Sequence, residues 1–332
     1  MAVGATWALV LAAGEGSRLR SLTTKPCGTA VPKQFCSLQG ERTLLDEALA
    51  RARALTATQH IRAIVAEQHR TWWTSLLGDL PQQNVIPQPR NRGTAIGILY
   101  PLLHILERDP DARLVILPSD HYVREELILR RSMRAALQAL VHCDGAPILL
   151  GIEPYEADPE LGYVIPGAYD RYGTQSILHF VEKPPANIAG TVIERGGLWN
   201  AFIIIADARA LLSLFEQSCP GIVRELRNLV KQSEQGLNVA TALSALYERL
   251  PQMDFSREVL QAHSSALRVA RVPDCGWSDL GTPKRVAETL RRLGSTEIPA
   301  RHVSSRELPI NLASQYARLQ RMSVVQSTRQ IA

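Results

Sequence analysis

The sequence predicts an α/β fold, a mixed and mostly parallel sheet with helices on both faces. Three observations lead there. Apolar runs of strand length alternate with segments of helical period, at the spacing of strand–helix–strand units. The first run, residues 7–13, opens directly into a small-residue turn carrying Gly14 and Gly16. Chemically capable residues (Gly14, Gln88, Asp120 and Asp279) fall just past predicted strands, where open α/β sheets bind ligands.

Each element rests on its own pattern. Residues 44–55 are good helix formers with helical periodicity. Residues 61–66 read as a second strand, 69–77 as a helix and 85–87 as a short third strand. Residues 95–106 are helical, with Pro101 expected to bend the helix or split off its first turn. A strand at 114–117, an amphipathic helix at 124–141 and a strand at 147–152 complete a first half, residues 1–152. In the second half, residues 153–293, strands are expected at 162–166, 176–181, 198–205 and 266–272. Two or three helices fall within 208–250, and a last one at 283–293. Residues 294–332 form a polar, weakly patterned tail with a helix at 312–322, expected to dock on the core or in a dimer contact.

Composition narrows the function classes. The chain has 332 residues, 45% hydrophobic and 21% charged, as expected of a soluble globular enzyme with an ample core. Net charge is +5, but the basic residues are scattered, which suits small anionic substrates rather than nucleic acid. Five lysines stand against thirty-two arginines, so Lys33 and Lys183, each beside a proline, draw attention as compact mobile charges. The five cysteines are odd in number with no Cys-x-x-Cys spacing, which argues against a disulfide framework or zinc site and fits a reducing cytosol. The apolar N-terminus lacks a basic n-region and a cleavage site, and no run reaches the roughly 18 residues of a membrane span. A cytoplasmic protein without a membrane partner is expected, and a homodimer is the default assembly on base rate.

The residues themselves suggest phosphate chemistry. Gly14 and Gly16 permit positive φ and leave no Cβ against a ligand, so bare N–H groups form a nest for phosphate oxygens. Arg18 and Lys33 add full positive charge where a triphosphate would lie. Position 19 is Leu19, so this is no Gly-x-Gly-x-x-Gly motif, and no P-loop Gly-Lys-Ser/Thr occurs. Asp120, in Pro118-Ser119-Asp120-His121, is placed either to ligate Mg²⁺ or to cap the following helix. Asp279, in Trp277-Ser278-Asp279-Leu280-Gly281, is open to the same two readings. His121 reads as a hydrogen-bonding neighbour rather than a general base. No serine or cysteine nucleophile stands out.

The string over residues 7–35, ending in Pro32-Lys33-Gln34-Phe35, resembles the N-terminal signature of sugar-1-phosphate nucleotidyltransferases, and most closely the mannose-1-phosphate guanylyltransferase branch. The resemblance spans residues 6–290 and implies a Rossmann-like, GT-A-like fold with a sugar-binding insertion. It implies a nucleotide loop of Ala12, Ala13, Gly14, Gly16 and Ser17, with Arg18 and Lys33 as catalytic cations. Asp120 and Asp279 would be catalytic and bind Mg²⁺. Gln88, Gly93 and Thr94 would bind the base. Gly162, Glu182, Lys183 and Asn200 would hold the sugar phosphate, Lys183 on the phosphate itself. The segment Gln252-Met253-Asp254-Phe255-Ser256 supports the branch without a role for Asp254.

Two departures matter: the linker from Leu19 to Pro32 is longer than the branch's pattern, and Gln88 and Gly93 stand where it carries Glu and Asn. The implied reaction is GTP plus mannose 1-phosphate to GDP-mannose, with no isomerase domain expected in a chain of this length. The alternatives are another base and sugar (glucose 1-phosphate with UTP, dTTP or ATP), or a catalytically silent subunit that binds a nucleotide sugar.

Overall fold

The computed structural model describes residues 4–40, 42–143, 145–294 and 309–329. Nine strands form one sheet in the order β3-β2-β1-β4-β8-β5-β9-β7-β6, with β8 also pairing β6. The first half supplies β1 (Thr6–Ala12), β2 (Ile61–Ala66), β3 (Val85–Gln88), β4 (Arg113–Pro118) and β5 (Ile148–Ile152). Between them run α1 (Arg20–Thr23), α2 (Leu44–Arg53), α3 (Arg70–Leu76), α4 (Gly93–Arg108) and α5 (Glu126–Leu140). The second half adds β6 (Gly162–Tyr169), β7 (Gln175–Glu182), β8 (Leu198–Asp207) and β9 (Arg268–Val272). Its helices are α6 (Ala186–Glu194), α7 (Ala208–Ser218), α8 (Pro220–Glu234), α9 (Ala240–Arg249) and α10 (Pro283–Arg292), followed by α11 (Leu312–Arg329).

β1 shows why the first half reads so clearly. Trp7 and Leu9 enter the core on one sheet face, Ala8 and Val10 the core on the other. A strand buried on both faces is a near-continuous apolar run. β1 pairs in parallel with β2 and β4, and β2 with β3. The expectation of a mostly parallel sheet holds only there and for β5 with β9. β8 runs antiparallel to β4, β5 and β6, and β7 antiparallel to β6 and β9. A short turn joins β6 and β7, and short turns allow only antiparallel pairing.

Two further expectations need correction, and one helix was not expected. Helix α4 runs unbroken through Pro101. The N–H that proline lacks would have served the carbonyl of Gly97, and burial from Ala95 to Ile105 keeps the helix continuous. Of the two loop glycines, only Gly16 takes positive φ, at 61°. Helix α6 had no periodic signal that revealed it. The long linker after Leu19 closes on itself through a Thr24–Ala30 bridge and a Val31 N–H bond to the Thr23 carbonyl, so its extra length is taken up in a turn of its own.

The start of the last helix docks on the core. Leu312 is fully buried, and its N–H bonds the Ser37 carbonyl at 2.9 Å. Asn311 bridges Ser37 beside Gly40. Leu312→Ala should lower the free energy of unfolding by about 2–4 kcal/mol, read from the urea midpoint. A change below about 0.5 kcal/mol would mean that α11 lies outside the cooperative unit.

Candidate active site

A cavity of about 290 Å³ opens at the carboxyl ends of β1, β3 and β4, and the second half closes its far side. Ala13, Gly14, Arg18, Lys33, Gln88, Gly93, Thr94, Asp120, Gly162, Glu182, Lys183, Asn200 and Asp279 all line it. Ala12 is buried at the end of β1, Ser17 is exposed, and Gly16 sits behind the wall, so these three do not.

The nucleotide side is fastened by side chains that sequence reasoning left without roles. The Gln34 amide donates to the carbonyls of Ala12 and Gly14 at 3.1 and 2.9 Å, pinning the glycine loop to the Pro32-Lys33-Gln34-Phe35 segment. Gly16 makes that contact fit, since a Cβ there would lie 2.9 Å from the Lys33 nitrogen. Gly93 has φ 86° and packs so tightly that a Cβ would meet the Met253 carbonyl oxygen at 2.2 Å. The Thr94 hydroxyl accepts the Phe255 N–H at 2.8 Å. The start of α4 and the segment around residues 252–256 are therefore one wall, to which Asp254 and Ser256 contribute lining. Gln88 is 2% exposed, and its amide oxygen has no protein partner. That orphaned acceptor lines the cavity and suits a ligand N–H.

The residues expected to bind Mg²⁺ belong to a chain of charges. Lys33 is buried, its ammonium 2.8 Å from Asp120 Oδ2 and 2.6 Å from the Asp279 carbonyl oxygen. Burial works to raise the Asp120 pKa, but the Lys33 ammonium and His121 together hold it below the usual carboxylate value. Asp120 is thus anionic and open to the cavity, as a Mg²⁺ ligand must be. It does not cap α5, whose N-cap is Glu125.

Asp279 is different. Arg285, on the first turn of α10, donates from Nη2 to Oδ2 at 2.9 Å and lies with Nε 2.6 Å from Oδ1. The Gly281 N–H also bonds Oδ1, and Arg285 reaches on to Asp158. The Asp279 carboxylate faces the cavity with its charge already balanced, and its remaining lone pairs are what it can offer a cation. The pattern of residues 277–285 gives no signal for this pairing, because Arg285 reads simply as one more residue of an amphipathic helix.

On the sugar-phosphate side, a Cβ on Gly162 would come within 2.5 Å of Glu182 Oε2 and 3.7 Å of Asn200 Cβ. These three residues converge on one spot. Burial raises the Glu182 pKa, opposed by the neighbouring Lys183 ammonium 3.5 Å away. Lys183 has φ 50°, an uncommon conformation for a non-glycine residue, which costs of order 1 kcal/mol and turns the chain at the cavity rim. Glu160, not expected from sequence, pairs with Arg18 across the cavity mouth.

Three lining cations, Arg18, Lys33 and Lys183, thus face five carboxylates, Asp120, Glu160, Glu182, Asp254 and Asp279. With Asp279 already balanced by Arg285, the wall keeps a small net negative charge, which favours a multivalent cation over a bare polyphosphate.

His121 is no reservoir of positive charge. Burial, with the nearby Lys33 and Arg51, pushes its pKa down to about 4 against the pull of Asp120 and Asp279. The Trp277 indole N–H donates to its Nδ1 at 3.3 Å, which assigns the proton to Nε2, facing Asp120. The unfolded chain takes up this proton near pH 6.5 and the folded chain only near 4, so stability falls as pH drops through that window. The imidazole resonances of His121 should not titrate above about pH 5; an NMR midpoint near 6.5 would contradict this environment.

Residues 7–295 match the nucleotidyl transferase family. The chain is 25% identical over 283 residues to a mannose-1-phosphate guanylyltransferase of Sinorhizobium fredii (strain NBRC 101917 / NGR234), covering 82% of this chain and 52% of that protein. It is 28% identical over 287 residues to mannose-1-phosphate guanylyltransferase 2 of Escherichia coli O157:H7, covering 83% and 58%. The chain spans about half the length of the curated relatives it matches. Its fold superposes with a TM-score of 0.72, at 25% identity, on a crystal structure described as a mannose-1-phosphate geranyltransferase from Thermus thermophilus, covering 88% of this chain and 80% of that one. From the glycine loop to the end of α10, this chain belongs to the nucleotidyl transferase family.

Proposed function

We propose that this chain transfers a nucleotidyl group from a nucleoside triphosphate to a sugar 1-phosphate, with GTP and mannose 1-phosphate as the favoured pair. One observation carries the reading. The glycine loop with Gln88 and the Gly162–Glu182–Asn200 cluster line opposite sides of a single cavity, with Asp120 and Lys33 between them. The relatives' names support the choice of substrates.

The sugar 1-phosphate is already an anion near neutral pH, so its oxygen needs no general base. It attacks the α-phosphorus in line; the new O–P bond forms as the bond to the β-phosphate oxygen breaks, and pyrophosphate leaves with the electron pair. Catalysis is then positioning and charge balance. Gly14 leaves the loop open to the phosphates, and Arg18 exchanges Glu160 for phosphate oxygens. Lys183 pairs with the sugar phosphate, while Gly162, Glu182 and Asn200 orient the hydroxyls. The Gln88 amide oxygen accepts one base N–H. Asp120, with Asp279 beside it, would hold Mg²⁺, whose charge neutralises the phosphates when bound. A neutral amide at Gln88 also suits the imide edge of uracil or thymine, which keeps a second base in contention.

Pyrophosphate release should be measured with GTP, ATP, UTP and dTTP against mannose 1-phosphate and glucose 1-phosphate. The GTP and mannose 1-phosphate pair should give the highest rate. A maximum at another pair would change the substrate and keep the mechanism; no release from any pair would favour a silent subunit.

A further inference from the structure

Strand β8 changes register against β5 between Leu149 and Gly151: Ile204 opposes Leu149, yet Asn200 opposes Gly151. Three residues of β8, Ala201, Phe202 and Ile203, therefore stand opposite Leu150 alone. Bulges of this kind re-aim side chains and gather beside active sites. At the centre is Phe202, with φ 55°, a conformation that is a genuine outlier for a bulky residue. Its N–H donates to Asn200 Oδ1 at 3.1 Å, and its side chain lines the cavity. Behind it, the Phe255 ring meets it edge-on at 6.1 Å and is itself stacked on Phe215 at 5.4 Å. Phe255 is fully buried. The ring is thus braced by Phe255 from the core and lines the cavity, and its backbone is held by Asn200.

We propose that Phe202 is the residue that sets hexose selectivity: the bulge turns its ring into the sugar side of the cavity as a fixed apolar wall against one C–H face of the pyranose. The inference rests on the proposed function and goes beyond it, by naming what discriminates between hexoses there. Asn200, Glu182 and the Gly162 backbone offer polar contacts that hydroxyls of many sugars could satisfy. A rigid ring adds shape, and an apolar wall of this size is worth roughly tenfold or more in discrimination. Nothing in the sequence marks it, because Phe202 lies inside the apolar run of β8.

The test is equilibrium binding of GDP-mannose, GDP-glucose and GDP to the wild type, Phe202→Gly and Phe202→Leu. Glycine accepts φ 55° without strain, so Phe202→Gly keeps the bulge. The wild type should favour GDP-mannose over GDP-glucose. Phe202→Gly should cut that preference at least tenfold and leave GDP affinity within twofold, with Phe202→Leu between the two. An unchanged preference overturns the proposal while leaving the proposed function standing. Equal losses for all three ligands overturn it too, since the ring then serves the nucleotide or the fold. A wild type that binds the two nucleotide sugars equally also overturns it. Binding of neither sugar overturns the proposed function together with this proposal.

Discussion

A single buried ammonium group holds the site together. Lys33 leaves the segment that Gln34 clamps to the glycine loop, and its Nζ reaches the Asp120 carboxylate past β4 and the carbonyl oxygens of Asp279 and Leu280. Two parts of the chain, both far from Lys33 in sequence, supply the three acceptors that meet on its ammonium. Burying one charge without the other would be costly, so Lys33 and Asp120 require each other. Lys33 was expected to add positive charge where a triphosphate would lie; in the structure it lines the cavity with its ammonium engaged by Asp120 and the Asp279 carbonyl.

From this clamp a second chain of charges runs outward, from Asp279 through Arg285 to Asp158, and Glu160 two residues on pairs with Arg18. The loop before β6 is thereby tied both to Asp279 and to Arg18 beside the glycine loop. The two sides of the cavity are electrostatically continuous, although they come from different halves of the chain.

Most of the fold was legible because β1 and β4 are buried on both faces and read as near-continuous apolar runs, as does β2 apart from Arg62. The glycine turn, Gln88, Asp120 and Asp279 were legible because strand ends in open sheets carry the ligand chemistry. The direction of β8 was not, since a strand's pattern is the same whichever way it runs. The pairing of Arg285 with Asp279 and the left-handed backbone at Phe202 were hidden for a related reason. Both depend on backbone geometry, a helix start and a bulge, that no periodicity encodes. Gly14 and Gly16 looked alike in sequence, yet only Gly16 needs left-handed backbone, while Gly14 only keeps the cavity open.

If Asp120 anchors a divalent cation, as proposed, the cavity accepts a nucleoside triphosphate tightly only together with that cation. The most direct measurement is GTP binding by calorimetry, with Mg²⁺ and with EDTA, for the wild type and Asp120→Asn. The account predicts at least tenfold tighter binding with Mg²⁺ in the wild type. In Asp120→Asn that gain should be lost, while affinity in EDTA stays the same or rises because one repelling charge is gone. Equal wild-type affinity with and without Mg²⁺, or an undiminished Mg²⁺ effect in the variant, would contradict it.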